Sequence, residues 1–320
     1  MNQLHRKTGN TGTRAVKLAF SLVFYSGNWL WSRLRELAGR KSPGTCVVLY
    51  YHAVPAQYRS RFANQMNVLM RCARPIKSDN SQPLKSGVHH VAVVFHDAFV
   101  SVCDNALPEL AQRKIPSTLF APSGYLGQQQ GWITDKQHPD YGETVVDAER
   151  LKSLDRDLVS VGSHTITHAD LSILTEKDAR NELERSKMDL EMALGRPVQL
   201  FAFPYGRCTE SLANLARQAG YQRVFTIKPQ LAFSEPDEYV TGSCSVSPTD
   251  WNLEFRLKLL GAYHWMPPIY RFRHRTGLLL KSWTSRTKQN RLEVHATPSQ
   301  KTRPAGKAEL EGSSDSQGRP

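Results

Sequence analysis

Cysteine is scarce in this chain: Cys46, Cys72, Cys103, Cys208 and Cys244 are the five in 320 residues. They are an odd number, widely separated, and no two form a Cys-x-x-Cys pair. That pattern excludes a disulfide framework and points to a reducing compartment, with the thiols serving as small buried apolar groups. A long apolar run is missing as well. Residues 18–31, LAFSLVFYSGNWLW, contain Asn28 and follow Lys17, and they fall short of the roughly 20 apolar residues that cross a bilayer. They do not read as a cleavable signal peptide either. The segment is rich in Trp and Phe and is followed by Arg33, Arg35 and Arg40. Either it lies in a membrane interface, or it packs on the body as an ordinary amphipathic helix. No repeat with a period of about 20–50 residues stands out, which excludes a solenoid or propeller.

The body of the chain also lacks an excess of either charge. The formal net charge is +13, but residues 1–41 carry +7, residues 271–320 carry +7, and the stretch between them is at −1. A nucleic-acid groove needs basic residues on the folded face itself, so the neutral body argues against a nucleic-acid partner. Basic ends suit an anionic membrane surface, or simple solubility. Three regions follow: a basic N-terminal helix region (1–41), a folded domain (42–270), and a basic tail (271–320) that is expected to be largely disordered.

A hydrophobic content of 40% supports a sizeable core. Helix is expected over about 14–38, then strand and helix alternate. CVVLYYHAV (46–54), VHHVAVVFHDAF (88–99), IPSTLFA (115–121), LVSVGSHT (158–165), VQLFAFPYG (198–206) and YQRVFTI (221–227) read as strands. Helices are expected at 61–72, 101–114, 148–157, 175–195 and 211–220, and LEFRLKLLGAYH between Trp251 and Trp265 reads as one more. The mixed charge of 175–195 reads as a solvated face. Alternation of this kind implies parallel strands joined by crossovers, hence an α/β sheet or barrel.

Three polar clusters then fall at the C-terminal ends of expected strands: His96-Asp97, His164 through His168, and Pro204-Tyr205-Gly206. That edge is where sites assemble in parallel α/β folds, because loops converge there on a rigid frame. One carboxylate (Asp97) with two imidazoles (His164, His168) suits a catalytic divalent-metal site, zinc being the ion expected, with open positions for water and substrate. Taken singly, a His-x-x-x-His or a His-Asp pair is more often structural hydrogen bonding; the shared strand-end placement raises the functional reading. Trp132 either stacks on a sugar ring or anchors its loop, and His52 either lines the pocket or is a hydrogen-bonded strand-end residue.

FHDAF (95–99), SHTITH (163–168) and FAFPYG (201–206) together resemble the leading motifs of the polysaccharide deacetylases, the NodB homology family. The resemblance extends over about 45–265. It implies a distorted (β/α) barrel of about seven strands and metal-dependent removal of N-acetyl groups from an amino-sugar polymer or a lipid-linked precursor of one. By the same resemblance, Asp97, His164 and His168 hold the metal. The backbone N–H of Tyr205 helps to stabilise the oxyanion, and Pro204 and Gly206 shape that turn against the substrate.

Two departures stand out. The family's first motif usually reads Phe-Asp-Asp, its first Asp being the general base, and His96 occupies that position here. An Arg commonly stands three residues before the Tyr of the third motif, where this chain has Ala202. A later Leu-x-x-His that supplies the general acid is not found; His264, His274 and His295 lack that context. One reading makes His96 the base, since imidazole titrates near the working pH and needs no Arg partner. The alternative is a catalytically impaired deacetylase-like protein that binds carbohydrate or scaffolds polysaccharide assembly. A cytoplasmic location is expected, with peripheral contact at the inner membrane surface through 1–41.

Overall fold

Along the first strand, β1 (Thr45–Tyr51), every residue after the first is buried, and the alternation sends its side chains to two different cores. Cys46, Val48 and Tyr50 join one cluster with Ala92, Val94, Phe120, Leu200 and Phe225. Val47, Leu49 and Tyr51 join a larger one that takes in the apolar faces of the helices. A strand buried on both sides, with a small inner core and a large outer one, is the stave of a barrel wrapped in helices. The computed structural model of the chain, described here over residues 11–235 and 237–266, has that architecture.

In chain order, α1 (Thr11–Leu37) leads into β1, followed by α2 (Arg59–Cys72), β2 (Arg74–Pro75) and β3 (His89–Phe95). A single π-helical turn (Val102–Ala106) opens α3 (Leu107–Gln112), so the helix expected at 101–114 is divided in two. Then come β4 (Ser117–Ala121), α4 (Ala148–Ser153), β5 (Val159–Ser163), α5 (Glu176–Leu194), β6 (Leu200–Ala202), α6 (Glu210–Gln218), β7 (Arg223–Thr226), β8 (Val240–Gly242), β9 (Cys244–Ser245) and α7 (Asn252–Leu259). Residues 271–320, expected to form a disordered tail, lie outside the described residues, and so do His274 and His295.

The strands run in the order β8-β7-β6-β5-β4-β3-β1-β9, with β2 beside β3. Every strand pair is parallel. One bent segment closes the circle. β8 pairs with β7 and β9 pairs with β1, and only Ser243 separates them. At the bend Ser243 donates to the carbonyl of Thr226 from its N–H at 2.9 Å and from its hydroxyl at 2.7 Å. The expected distorted (β/α) barrel is therefore the fold observed, nearly closed. The short strands that close it, β8 and β9, carry too few residues to leave a periodic signal in the sequence.

Helix ends are fixed locally. Thr175 caps α5 by accepting the N–H of Asp178, and Gly195 ends it in the left-handed region at φ +63. Inside the barrel the packing is tight at Gly162 on β5. A Cβ built there would meet the Phe120 ring at 2.5 Å and the Leu200 carbonyl at 3.0 Å. The ring thus occupies the space where the Gly162 side chain would stand. Gly162→Ala is expected to lower stability by about 1–3 kcal/mol through overpacking. Thermal unfolding of the variant measures this, and an unchanged midpoint contradicts it.

Candidate metal and catalytic site

Three loops leave the C-terminal ends of β3, β5 and β6, and each turns through backbone that L-residues avoid. Asp97 (φ +68) and Ala98 (φ +47) follow β3. Thr165 (φ +67) and His168 (φ +58) follow β5, and Tyr205 (φ +58) follows β6. These are five of the seven non-glycine residues with positive φ among the described residues. Each costs on the order of 1–2 kcal/mol, and strain gathered at one edge of a fold marks a site that the surroundings hold in place.

The strained turns bring the carboxylate and the imidazoles together. Asp97 Oδ1 lies 3.1 Å from His168 Nε2 and 3.6 Å from His164 Nε2. One ligand atom from each of Asp97, His164 and His168 lies within 4.8 Å of the others, and all three residues are buried. His164 Nδ1 is 2.7 Å from the carbonyl of Ala202. A carbonyl only accepts, so Nδ1 carries the proton and Nε2 presents a lone pair to the site. Three electron-pair donors converging in a buried space, one of them an anion, fit a divalent cation. This set could hold the ion, with Asp97 as carboxylate and His164 and His168 as imidazole ligands.

Neighbouring residues hold this geometry. Glu182 on α5 accepts the N–H groups of Ile166 (2.7 Å) and Thr167 (3.1 Å) and the Thr167 hydroxyl (2.8 Å), which pins the loop between the two histidines. The face of α5 that looked solvated thus sends one carboxylate inward, and its spacing gave no sign of that. Arg207 and Asp170 form an ion pair that ties the turn after β6 to the loop after β5. Gly206 (φ +63) lies so close to Ile227 that a Cβ would come within 2.7 Å of its backbone nitrogen. The Tyr205 ring meets the His168 ring edge-on at 5.0 Å. Trp132 stacks face to face on the His168 ring, with centroids 4.4 Å apart, and meets Tyr125 edge-on. The loop-anchoring reading of Trp132 therefore has direct contacts behind it.

His96 stands beside the ligand set. Its ring is 5.0 Å from that of His164, stacks on Tyr50 at 4.7 Å, and meets His52 and Phe120 edge-on. Its buried Nε2 has no hydrogen-bond partner among the described residues. Burial first, and then the charges of His164 and His52, push its pKa well below the ordinary value, so the ring is neutral. His52 is also lowered, chiefly by burial. For Asp97, burial alone would raise the pKa, but His168 foremost, with His52 and His164, holds it below the usual carboxylate range. The sequence missed Asp140 altogether. It sits in the loop that crosses from β4 to α4, which Val146 fastens to the Ala98 carbonyl at 2.9 Å. Asp140 is bonded to the backbone of Ala53 beside His52; burial raises its pKa, His138 opposes this, and Asp97 adds to it. Nothing in its flanks, QHPDYG, signals such a placement.

The polysaccharide deacetylase family model matches residues 85–224, a span that holds all three clusters. A curated Bacillus subtilis (strain 168) protein, YxkH, provisionally named a polysaccharide deacetylase, is 25% identical over 168 residues. That match covers 52% of this chain and 55% of the relative, so the chain spans about half the length of the curated protein it resembles. Among solved structures, IcaB from Ammonifex degensii is 24% identical with a TM-score of 0.53, over 68% of this chain and 98% of that one. The Streptococcus pyogenes deacetylase PplD, solved in complex with acetate, is 17% identical with a TM-score of 0.53, over 65% of this chain and 95% of the other. A polysaccharide deacetylase from Bacillus cereus, BC0361, is 23% identical with a TM-score of 0.54, over 67% of this chain and 69% of the other. These likenesses establish the barrel, and with the family match they bear out the resemblance carried by the three motifs.

The neutral imidazoles make folding sensitive to acid. Burial lowers His164 to about 3 and His264 to about 4, against 6.5 for an unhindered ring. The unfolded chain then binds protons that the folded chain refuses. Stability is complete above about pH 6.5 and declines as pH falls, by about 1 kcal/mol per pH unit for each such ring. Thermal unfolding of metal-free protein is expected to show a midpoint that drops steadily from about pH 7 to about pH 5. A flat profile over that window contradicts the assignment of neutral buried rings.

Proposed function

With residues 85–224 matched to the polysaccharide deacetylase family and the barrel shared with its solved members, we propose that this chain is a metal-dependent hydrolase. It removes N-acetyl groups from an amino-sugar polysaccharide or from a lipid-linked precursor of one. The observation that carries this reading is the convergence of Asp97, His164 and His168 within 4.8 Å at the mouth of the barrel. A divalent ion held by these three, zinc by preference for a carboxylate with two imidazoles, supplies Lewis acidity toward the acetyl carbonyl and a nucleophilic water near neutral pH.

The chain's own residues divide the remaining work. His96, whose Nε2 is unpartnered among the described residues and lies beside the ligand set, accepts the proton of the attacking water in the place where the family usually has an aspartate. The burial that keeps it neutral also lowers its strength as a base. A neutral base needs no cationic partner, which agrees with Ala202 at the position of the missing Arg. The Tyr205 N–H, in the left-handed turn between Pro204 and Gly206, donates to the developing oxyanion. Pro204, Tyr205 and Gly206 also line the acetyl group, and Trp132, packed between His168 and Phe99, holds the loop that borders it. Asp140, whose pKa burial raises to about 6, is protonated in a minor fraction of molecules near neutral pH. In that form it gives its proton to the departing amine, a role for which the sequence offered no histidine. The five free thiols agree with a reducing compartment, and we place the reaction in the cytoplasm.

The test is acetate release from N-acetylated amino-sugar oligomers by metal-loaded full-length protein. Chelation is expected to abolish it. His96→Ala and Asp140→Asn are each expected to lower turnover by about 10²–10⁴ while metal content stays at the wild-type level. The competing reading, a disabled deacetylase that binds glycan without turnover, follows from the replacement of aspartate by the bulkier His96. Metal-loaded wild type that releases no acetate, together with a His96→Asp variant that does, would establish that reading instead.

A further inference from the structure

The first helix is built inside out. α1 spans 27 residues, about 40 Å, and Ser21 is its buried residue among those described. The face that meets the body is mixed: Leu18 and Tyr25 pack against the core, and polar and aromatic contacts fasten the helix around them. Arg14 pairs with Glu254 at 2.5 Å and lies over the Trp251 ring at 4.6 Å. Trp265 donates its indole N–H to the Ser21 hydroxyl at 2.9 Å. An ordinary surface helix turns its apolar stripe toward the core. Here Val16, Val23, Leu30, Leu34 and Leu37 recur at steps of three, four or seven residues on the outer side and are all exposed, and Phe20, also exposed, borders them beside Trp265. Val23 is 73% exposed, Leu30 55% and Leu37 85%. Trp31, 64% exposed, borders the same stripe.

The charges beside the stripe indicate what covers it. By helical spacing Lys17 and Arg35 border it on one side and Arg33 on the other, and Arg40 and Lys41 follow directly. Glu36 is the one acid between residues 11 and 41, and it is already bonded to Arg33 at 3.0 Å and to Ser42 at 2.8 Å. A second copy of the chain would set the same basic borders against each other. Anionic headgroups complement them, and exposed Trp side chains suit the boundary between headgroup and acyl chain. No helix among the described residues is long and apolar enough to cross a membrane, so the helix would lie in the surface.

We propose that the outward face of α1 rests in an anionic lipid surface, with its apolar stripe among the acyl chains and Lys17, Arg33 and Arg35 at the headgroups. The inference is independent of the catalytic reading.

Full-length protein is to be sedimented with vesicles of phosphatidylcholine alone and of phosphatidylcholine with phosphatidylglycerol. Wild type is expected to pellet with the anionic vesicles and to be partly released by salt. Val23→Glu with Leu30→Glu is expected to weaken that binding by about tenfold or more. Its unfolding midpoint should not change, because both residues are exposed, and residues 271–320 keep their charge throughout. Lys17→Gln, Arg33→Gln and Arg35→Gln together are expected to abolish the preference for the anionic vesicles. The inference is overturned if wild type stays in the supernatant with both compositions, or if the double Glu variant binds as wild type does. It is also overturned if light scattering finds a dimer that the Glu pair dissociates while vesicle binding is unaltered, since a second copy would then own the face.

Discussion

Backbone strain at one rim of the barrel is the constraint from which the site follows. Asp97, Ala98, Thr165, His168 and Tyr205 all sit at positive φ, and relaxing any of them would swing a ligand or the oxyanion turn out of place. At about 1–2 kcal/mol each, five such residues would consume much of the marginal stability of an ordinary domain. They persist because rigid strands end directly beneath them and because buried polar contacts offset the cost. Glu182 takes three donors of the 164–168 loop, and Ala202 fixes the tautomer of His164. The geometry is thus assembled before any ligand arrives, which is what a metal site needs in order to bind without reorganisation.

The interior of the barrel prepares the same rim from below. Small and large residues pack across it, as with Gly162 and Phe120, and Tyr50 stacks on His96 while Phe120 meets the same ring edge-on. This apolar floor keeps His96 and His164 neutral, because a charged imidazole would have to be desolvated there. Neutral rings are the form in which histidine can bind a cation or accept a proton. Ala202 fits the same account, because its carbonyl serves as the acceptor that orients the His164 ring.

Much of this was legible in the sequence, and the reasons are physical. The long strands β1 and β3 and the long helix α5 carry period and caps, so they were placed to within a few residues. Asp97, His164 and His168 were readable because they fall where apolar strands give way to polar turns. Three features were not readable. The closing strands β8 and β9 are too short to show alternation. Glu182 lies in a charged helix whose exposed and buried acids look alike. Asp140 enters the site only through the path of a long loop, which local sequence does not determine. The N-terminal helix reads from sequence with two roles open; in the structure Leu18 and Tyr25 pack on the core and Arg14 reaches α7, while an apolar face stays exposed.

Metal binding by the pre-formed ligand set tests the account most directly. Isothermal titration of zinc into metal-free wild type, Asp97→Ala and His164→Ala is the measurement. One equivalent is expected to bind wild type, and His164, whose ring burial already keeps neutral, has no proton to release. Either substitution is expected to weaken affinity by more than the roughly 10–100-fold that follows loss of an outer-shell partner. Wild type that takes up no zinc, or variants that bind it as tightly as wild type does, would contradict the claim that these strained turns exist to hold a metal.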